Sequence, residues 1–149
     1  MSEFRISTNI EEFDILLIHR FLSQESYWAK GVALNTVRKA IANSLCFGGF
    51  LGTAQVAFGR VVTDLTTFAY LRDFFVLQEY RGNGYGKSII QTAMLRLKEE
   101  GVQGVMLGTA DAYALYEKFG FRLIGNSPKL MMVYPQETDK VTMKSAPNI

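Results

Sequence analysis

Apolar and polar residues alternate from Phe4 to Ser7, which predicts a short first strand. The period then lengthens. Phe13, Leu16, Leu17 and Phe21 recur at helical spacing, predicting a helix over Glu11 to Phe21 with Asn9 or Thr8 as its cap and Glu11 and Glu12 favourable in its first turn. Ser23 to Gly31 carries no period and reads as a loop. Leu34, Val37, Ile41 and Leu45 restore the helical repeat and predict a second helix over about 34–44. A strand over Leu45 to Leu51 follows, weakened or tightly turned at its far end by Gly48, Gly49 and Gly52. Ala54 to Thr63 and Thr67 to Leu77 read as strands joined through Asp64-Leu65-Thr66 in a longer hairpin loop.

The strongest helical pattern covers residues 84–100, with Gly86, Ile90, Ala93, Met94 and Leu97 on one face and Lys87, Gln91, Lys98 and Glu99 on the other. Gly101 ends it. Beyond it the sequence predicts a short buried strand over Val105 to Gly108, a helix over Asp111 to Phe119, a strand over Phe121 to Ile124 after a turn at Gly120, and a last strand over Lys129 to Tyr134. From Pro135 the chain is polar and aperiodic, so residues 1–134 read as a single domain and 135–149 as a frayed tail. The element order β-α-α-β-β-β-α-β-α-β-β places the chain in the α/β class with a mixed sheet.

Composition narrows the function by exclusion. At 149 residues, one domain can bury roughly 68–70% of its unfolded surface without staples. A net charge of +2, from 16 basic and 14 acidic residues, is too balanced for a nucleic-acid binder. Cys46 lies in the apolar run Leu45-Cys46-Phe47 and reads as a buried small hydrophobe; His19, inside the first helix, reads as a satisfied or exposed histidine. The N-terminus lacks a signal pattern and no apolar run approaches the ~18 residues of a membrane span. The expectation is a cytoplasmic protein with no nucleic-acid or membrane partner and no metal, and with room for a homodimer.

Chemistry concentrates after the apolar run Phe74-Phe75-Val76-Leu77, where Gln78-Glu79-Tyr80-Arg81-Gly82-Asn83-Gly84-Tyr85-Gly86-Lys87-Ser88 opens the central helix. Three glycines at alternate positions let backbone N–H groups approach a ligand, and the helix N-terminus adds unpaired donors and a positive dipole end. The favoured guest is a phosphate or pyrophosphate. A P-loop would need glycine at Arg81, and the dinucleotide fingerprint fails because its third glycine, Gly86, falls one place early. What remains is Arg-x-x-Gly-x-Gly, Arg81 to Gly86.

That hexapeptide resembles the pyrophosphate loop of the GNAT superfamily of acetyl-CoA-dependent N-acetyltransferases. A second segment, Thr109-Ala110-Asp111-Ala112-Tyr113-Ala114-Leu115-Tyr116-Glu117-Lys118-Phe119-Gly120-Phe121, resembles the family's helix of the form N-x-x-A-x-x-L-Y-x-K-x-G-F. The likeness follows element order over roughly residues 3–134, with motif identity confined to about 74–121. Asp111 departs from the Asn more usual in the family; it keeps the capacity to cap a helix but not the amide donor. The resemblance implies a GNAT-like acyl-CoA N-acyltransferase fold, a central twisted sheet flanked by helices and splayed open beside the cofactor.

It also implies roles. Backbone groups from Gly82 to Lys87, including Asn83, Gly84, Tyr85 and Gly86, would hold the pyrophosphate of acetyl-CoA, with Arg81 touching phosphate or only positioning the loop. The strand Phe74 to Leu77, with Phe75, Val76 and Leu77 at the cofactor, would pair with the pantetheine arm, Asp111 would face the cofactor, and the N–H of Val76 or a neighbour would meet the thioester oxygen. Tyr116 would be the acid for the leaving thiolate, since a phenol of pKa near 10 is protonated at neutral pH. A lysine-like amine is neutral in only roughly one molecule in 2,500 at pH 7, so a base or water relay would help. Asp73 is the leading carboxylate, against an exposed or ion-paired role beside Arg72; Asp64 and Glu79 are weaker choices. Tyr27 and Trp28 would wall the cleft for a small-molecule or peptide amine, or else lid the core. Two rivals stand beside the ternary-complex acetyltransferase: a catalytically idle acyl-CoA sensor, and a nucleotide module using Lys87 and Ser88 as a degenerate P-loop.

Overall fold

A computed structural model describes residues 2–125 and 130–134, so the expected tail from Pro135 and the start of the expected last strand at Lys129 lie outside the described residues. Strands β1 (Phe4–Ser7), β2 (Leu45–Leu51), β3 (Ala54–Thr63), β4 (Ala69–Val76) and β5 (Val105–Leu107) lie side by side in chain order. The first four are antiparallel; β5 runs parallel to β4. Helices α1 (Ile15–Arg20) and α2 (Leu34–Ala42) supply Ile18, Val37 and Ile41 to a core completed by Phe50, Phe58 and Phe75. Helix α3 (Tyr85–Glu100) sets Ile89, Ile90, Ala93 and Leu97 against Phe47, Val56, Val61 and Leu71 in a second core. Because both cores press on the sheet, β2 and β3 are buried along most of their length rather than alternating.

The parallel pairing is short. Ala69, Tyr70 and Leu71 oppose Val105, Met106 and Leu107, and there β5 stops while β4 runs on to Val76. From Arg72 onward that edge of β4 has no strand beside it among the described residues, and the sheet opens into a wedge. Helix α4 (Tyr113–Glu117) follows β5.

A bulge marks the mouth of the wedge. Phe58 pairs with Phe75 and Arg60 with Arg72, so Asp73 and Phe74 together oppose Gly59. Asp73 takes a left-handed φ of 58°, a conformation Asp tolerates better than most residues. Gly59 is required here because a Cβ would sit 2.4 Å from the ring of Phe74.

Several expected elements differ. The helix over Glu11 to Phe21 is split: a 3₁₀ turn at Ile10–Glu12 is capped by Asn9, Phe13 is extended, and Asp14 caps α1 by accepting from the Leu17 N–H at 3.0 Å. The break lets the Phe13 ring turn inward against Phe58 and Phe50. A π turn over Phe21–Glu25 then continues α1 into what reads as loop. The helix expected over Asp111 to Phe119 shrinks to α4, because Thr109 Oγ1 accepts from Ala112 N–H at 3.1 Å and Asp111 lies outside the helix, not at its cap. Phe121 to Ile124 and residues 130–134 are irregular, where strands were expected: β5 is three residues long and offers them no ladder. β4 likewise starts at Ala69 rather than Thr67, since the Asp64 carboxylate gathers the N–H groups of Thr66 and Thr67 and the Thr67 hydroxyl into a closed loop.

Candidate active site

Gly82 and Gly84 have φ of 85° and 81°, which bring the chain round from a 3₁₀ turn at Gln78–Tyr80 to the start of α3. The first helical bond runs from Ser88 N–H to Gly84 C=O at 3.0 Å, so the N–H groups of Tyr85, Gly86 and Lys87 have no helical acceptor. They and the dipole end form the expected anion cradle. The side chains around it mainly fix the loop. Asn83 Nδ2 donates to Tyr80 C=O at 2.9 Å, Arg81 Nε to Val76 C=O at 3.0 Å, and the Tyr85 ring stacks on Phe4 at 4.2 Å.

The cradle borders a cavity of about 560 Å³ that runs along Phe75, Val76 and Tyr80 and takes in Arg81, Gly82, Gly84, Tyr85, Gly86 and Lys87. Asn83 and Leu77, both expected here, do not line it: Asn83 serves the loop, and Leu77 is buried with its N–H on Val56 C=O at 2.9 Å. Strand alternation then turns the N–H and C=O of Val76 to the opposite edge, into the wedge. Arg81 occupies that carbonyl, which leaves the Val76 N–H as the donor facing the cavity.

A second cavity, about 540 Å³, lies deeper along β4 and is lined by Tyr70, Arg72, Asp73, Gly108 and Thr109. Both cavities are bounded by Tyr27, Trp28, Phe74, Asp111, Ala112 and Tyr116. The structure therefore brings the expected Tyr116, Asp111, Tyr27 and Trp28 to one shared wall. The Tyr116 ring meets Phe121 edge-on at 5.8 Å, and burial, followed by Tyr27 and the Asp111 charge, pushes its hydroxyl up to about 12.

Asp73 is in the second cavity but heavily engaged. Its Oδ2 takes Arg60 Nε and its Oδ1 takes Trp28 Nε1, each at 2.8 Å, and the Arg60–Asp73 side chains are only 13% and 8% exposed. The ion partner is Arg60 on β3, not the neighbouring Arg72. Tyr27, edge-on to Trp28 at 5.0 Å, accepts the Ala110 N–H at 3.0 Å. The segment 26–28 thus straps both sides of the wedge, to β4 through Trp28 and to the chain after β5 through Tyr27.

Other polar candidates fall elsewhere. His19 Nε2 donates to Val32 C=O at 2.9 Å, a satisfied histidine as expected. Cys46 is 3% exposed with its thiol pushed up to about 12 by burial, so it packs as a hydrophobe. The Asp64 carboxyl is held well below its usual range by the Thr67 hydroxyl and the backbone around it, in its own loop. No group of three or more His, Cys, Asp or Glu among the described residues could hold a metal. Arg60 and Leu115 were not expected at the site; Phe74, expected only as part of the pantetheine strand, lines both cavities, and Gly59, a glycine inside a strand that marks a close approach, was the further signal for it.

Likenesses to known proteins bear on this geometry. The model of an acetyltransferase (GNAT) domain matches residues 42–123. The crystal structure of a GNAT-family protein from Xanthomonas campestris pv. campestris is 46% identical, covers 90% of this chain and 94% of its own, and superposes with a TM-score of 0.85. A Gibberella zeae protein named as an acetyltransferase is 29% identical over 141 residues, 78% of this chain and 77% of its own. A Mycobacterium tuberculosis protein in complex with CoA shares the fold at 17% identity, with a TM-score of 0.69 over 91% of this chain and 80% of its own.

Proposed function

The chain belongs to the acetyltransferase (GNAT) family, and from that premise we propose that it transfers the acetyl group of acetyl-CoA to a primary amine by direct attack, both substrates being bound together. The observation that carries this reading is the shared wall: two cavities of similar size meet at Tyr116 inside the wedge, one of them ending on the anion cradle. The chemistry of the cradle suits a pyrophosphate, since Gly82 and Gly84 keep it open with no atom within 4 Å of where a Cβ would stand. The CoA complex of the Mycobacterium protein agrees with that choice of donor.

When bound, acetyl-CoA supplies an electrophilic thioester carbonyl and a thiolate leaving group. The N–H groups of Tyr85, Gly86 and Lys87 hold its pyrophosphate, and Val76 N–H donates to the carbonyl oxygen. This donor is preorganised by the strand, so it does not have to reorient as charge develops. Tyr116, protonated across the neutral range, gives its proton to the departing sulfur.

Asp73 fits a positioning role better than that of a base. Arg60 and Trp28 already occupy both of its oxygens, which leaves neither turned to an incoming amine. Asp111, exposed on the shared wall, is the carboxylate open to the incoming ammonium and takes its proton directly or through water.

The test is a screen of amines with thiol release as readout, after confirming that acetyl-CoA raises the melting temperature. Acetyl-CoA-dependent stabilisation with no turnover on any amine would favour the idle sensor instead.

A further inference from the structure

Once the Arg60–Asp73 pair is set aside, two charged side chains in the second cavity have no charged partner among the described residues. Arg72 is exposed, makes no ion pair among the described residues, and carries its guanidinium 5.9 Å from the Tyr70 ring centre. Asp111 is exposed, and no side chain among the described residues neutralises its carboxylate. Their placement differs in a way that matters. Asp111 lines both cavities and so stands where they meet, whereas Arg72 lines the second cavity alone.

We infer that the acceptor is bipolar, an amine that also carries an anionic oxygen group, carboxylate or phosphate, which Arg72 binds while Asp111 draws the amine to the shared wall. The inference rests on the acetyl-transfer reading of the same site and narrows its acceptor. A cation at the far end and an anion at the junction give the cavity a dipole that an amino acid or amino phosphate satisfies in one orientation only, nitrogen toward Tyr116. A diamine would place one ammonium against Arg72, and a plain alkylamine would leave that guanidinium unused. Arg72 suits such a group because its planar fork matches two oxygens at once, and the Tyr70 ring beneath it limits where the fork can point. The reach is modest. Arg72 precedes Phe74, which lines both cavities, by two residues, at most about 7 Å of strand, so a short spacer between nitrogen and anion bridges the two ends.

The test uses ω-amino carboxylates of graded length, aminoalkyl phosphates, and alkylamines of matched length, each added to the full chain saturated with CoA. Melting temperature reads binding and thiol release from acetyl-CoA reads transfer. Anion-bearing amines should stabilise the protein where matched alkylamines do not. Arg72→Ala should weaken their binding and raise their KM by roughly ten- to a hundredfold with little change in kcat, and Arg72→Lys should recover part of the loss. The comparison of the carboxylate and phosphate series then identifies which oxygen group is preferred. Because Arg72 is exposed, an unchanged melting temperature without ligand confirms that the variants fold. Equal binding of alkylamines and amino acids, or an Arg72→Ala variant that treats all acceptors as the parent does, overturns the inference while leaving acetyl transfer standing. Arg72-dependent binding with no transfer supports the inference and instead removes the transferase reading.

Discussion

Trp28 donates its indole N–H to Asp73 at 2.8 Å across 45 residues of sequence, and the same carboxylate holds Arg60 at 2.8 Å. The early loop is thereby fixed to the strand that opens the wedge, and a wall of the second cavity is held in place by a mostly buried charge pair.

Removing one member of that pair should expose its cost. Asp73→Ala strands the Arg60 guanidinium, which is only 13% exposed, and should lower stability by about 3 kcal/mol in urea unfolding, with the KM for the amine rising as Trp28 is released. Asp73→Asn keeps an acceptor for Trp28 and tolerates the left-handed backbone, so it should retain much of the turnover with an unshifted pH profile. Loss of an acidic limb in that profile would restore Asp73 as the base.

Gly59→Ala tests the bulge. The new methyl meets the Phe74 ring at 2.4 Å, too close to accommodate without moving it. The expected loss is about 1–3 kcal/mol, with activity falling further than stability alone explains because Phe74 lines both cavities.

The cradle should respond to backbone strain alone. Gly84 has φ of 81° and nothing within 4 Å of its would-be Cβ, so Gly84→Ala costs about 1 kcal/mol from conformation and disturbs the N-terminus of α3. Calorimetry should show weaker acetyl-CoA binding, with the KM for the amine little altered.

Tyr116→Phe should cut turnover by roughly a hundredfold while leaving acetyl-CoA affinity nearly intact. The sign of the pH dependence follows from its raised pKa of about 12. The protonated phenol is the active form, so its ionisation does not limit the rate until pH rises toward 12. For stability, the folded chain holds this proton more tightly than the unfolded one. The contribution is full below about pH 10 and is lost as pH climbs through 12, a loss that Tyr116→Phe should abolish in alkaline unfolding.

Local pattern carried much of this. The strands Leu45–Leu51 and Ala54–Thr63 have the bounds expected of them, and α3 runs from the glycine loop to Gly101, whose φ of 78° ends it. Elements whose form depends on distant partners were not legible. Phe13 breaks a helical repeat because Phe50 and Phe58 receive its ring, and the segment Phe121 to Ile124 stays irregular because β5 is too short to pair with it. At the site, Tyr116, Asp111, Tyr27 and Trp28 were recognisable as residues, yet their convergence on one wall comes from the end of β5 at Leu107. The Arg60–Asp73 pair depends on a bulge that no local signal in Asp73 reveals.

If donor and acceptor occupy the two cavities joined at Tyr116, acetyl passes between them in one complex. The decisive measurement is the initial rate of thiol release while acetyl-CoA and an accepted amine are varied together. Direct transfer gives amine-dependent release with intersecting double-reciprocal lines, as a complex of both substrates requires; parallel lines, or release that no amine accelerates, would rule it out.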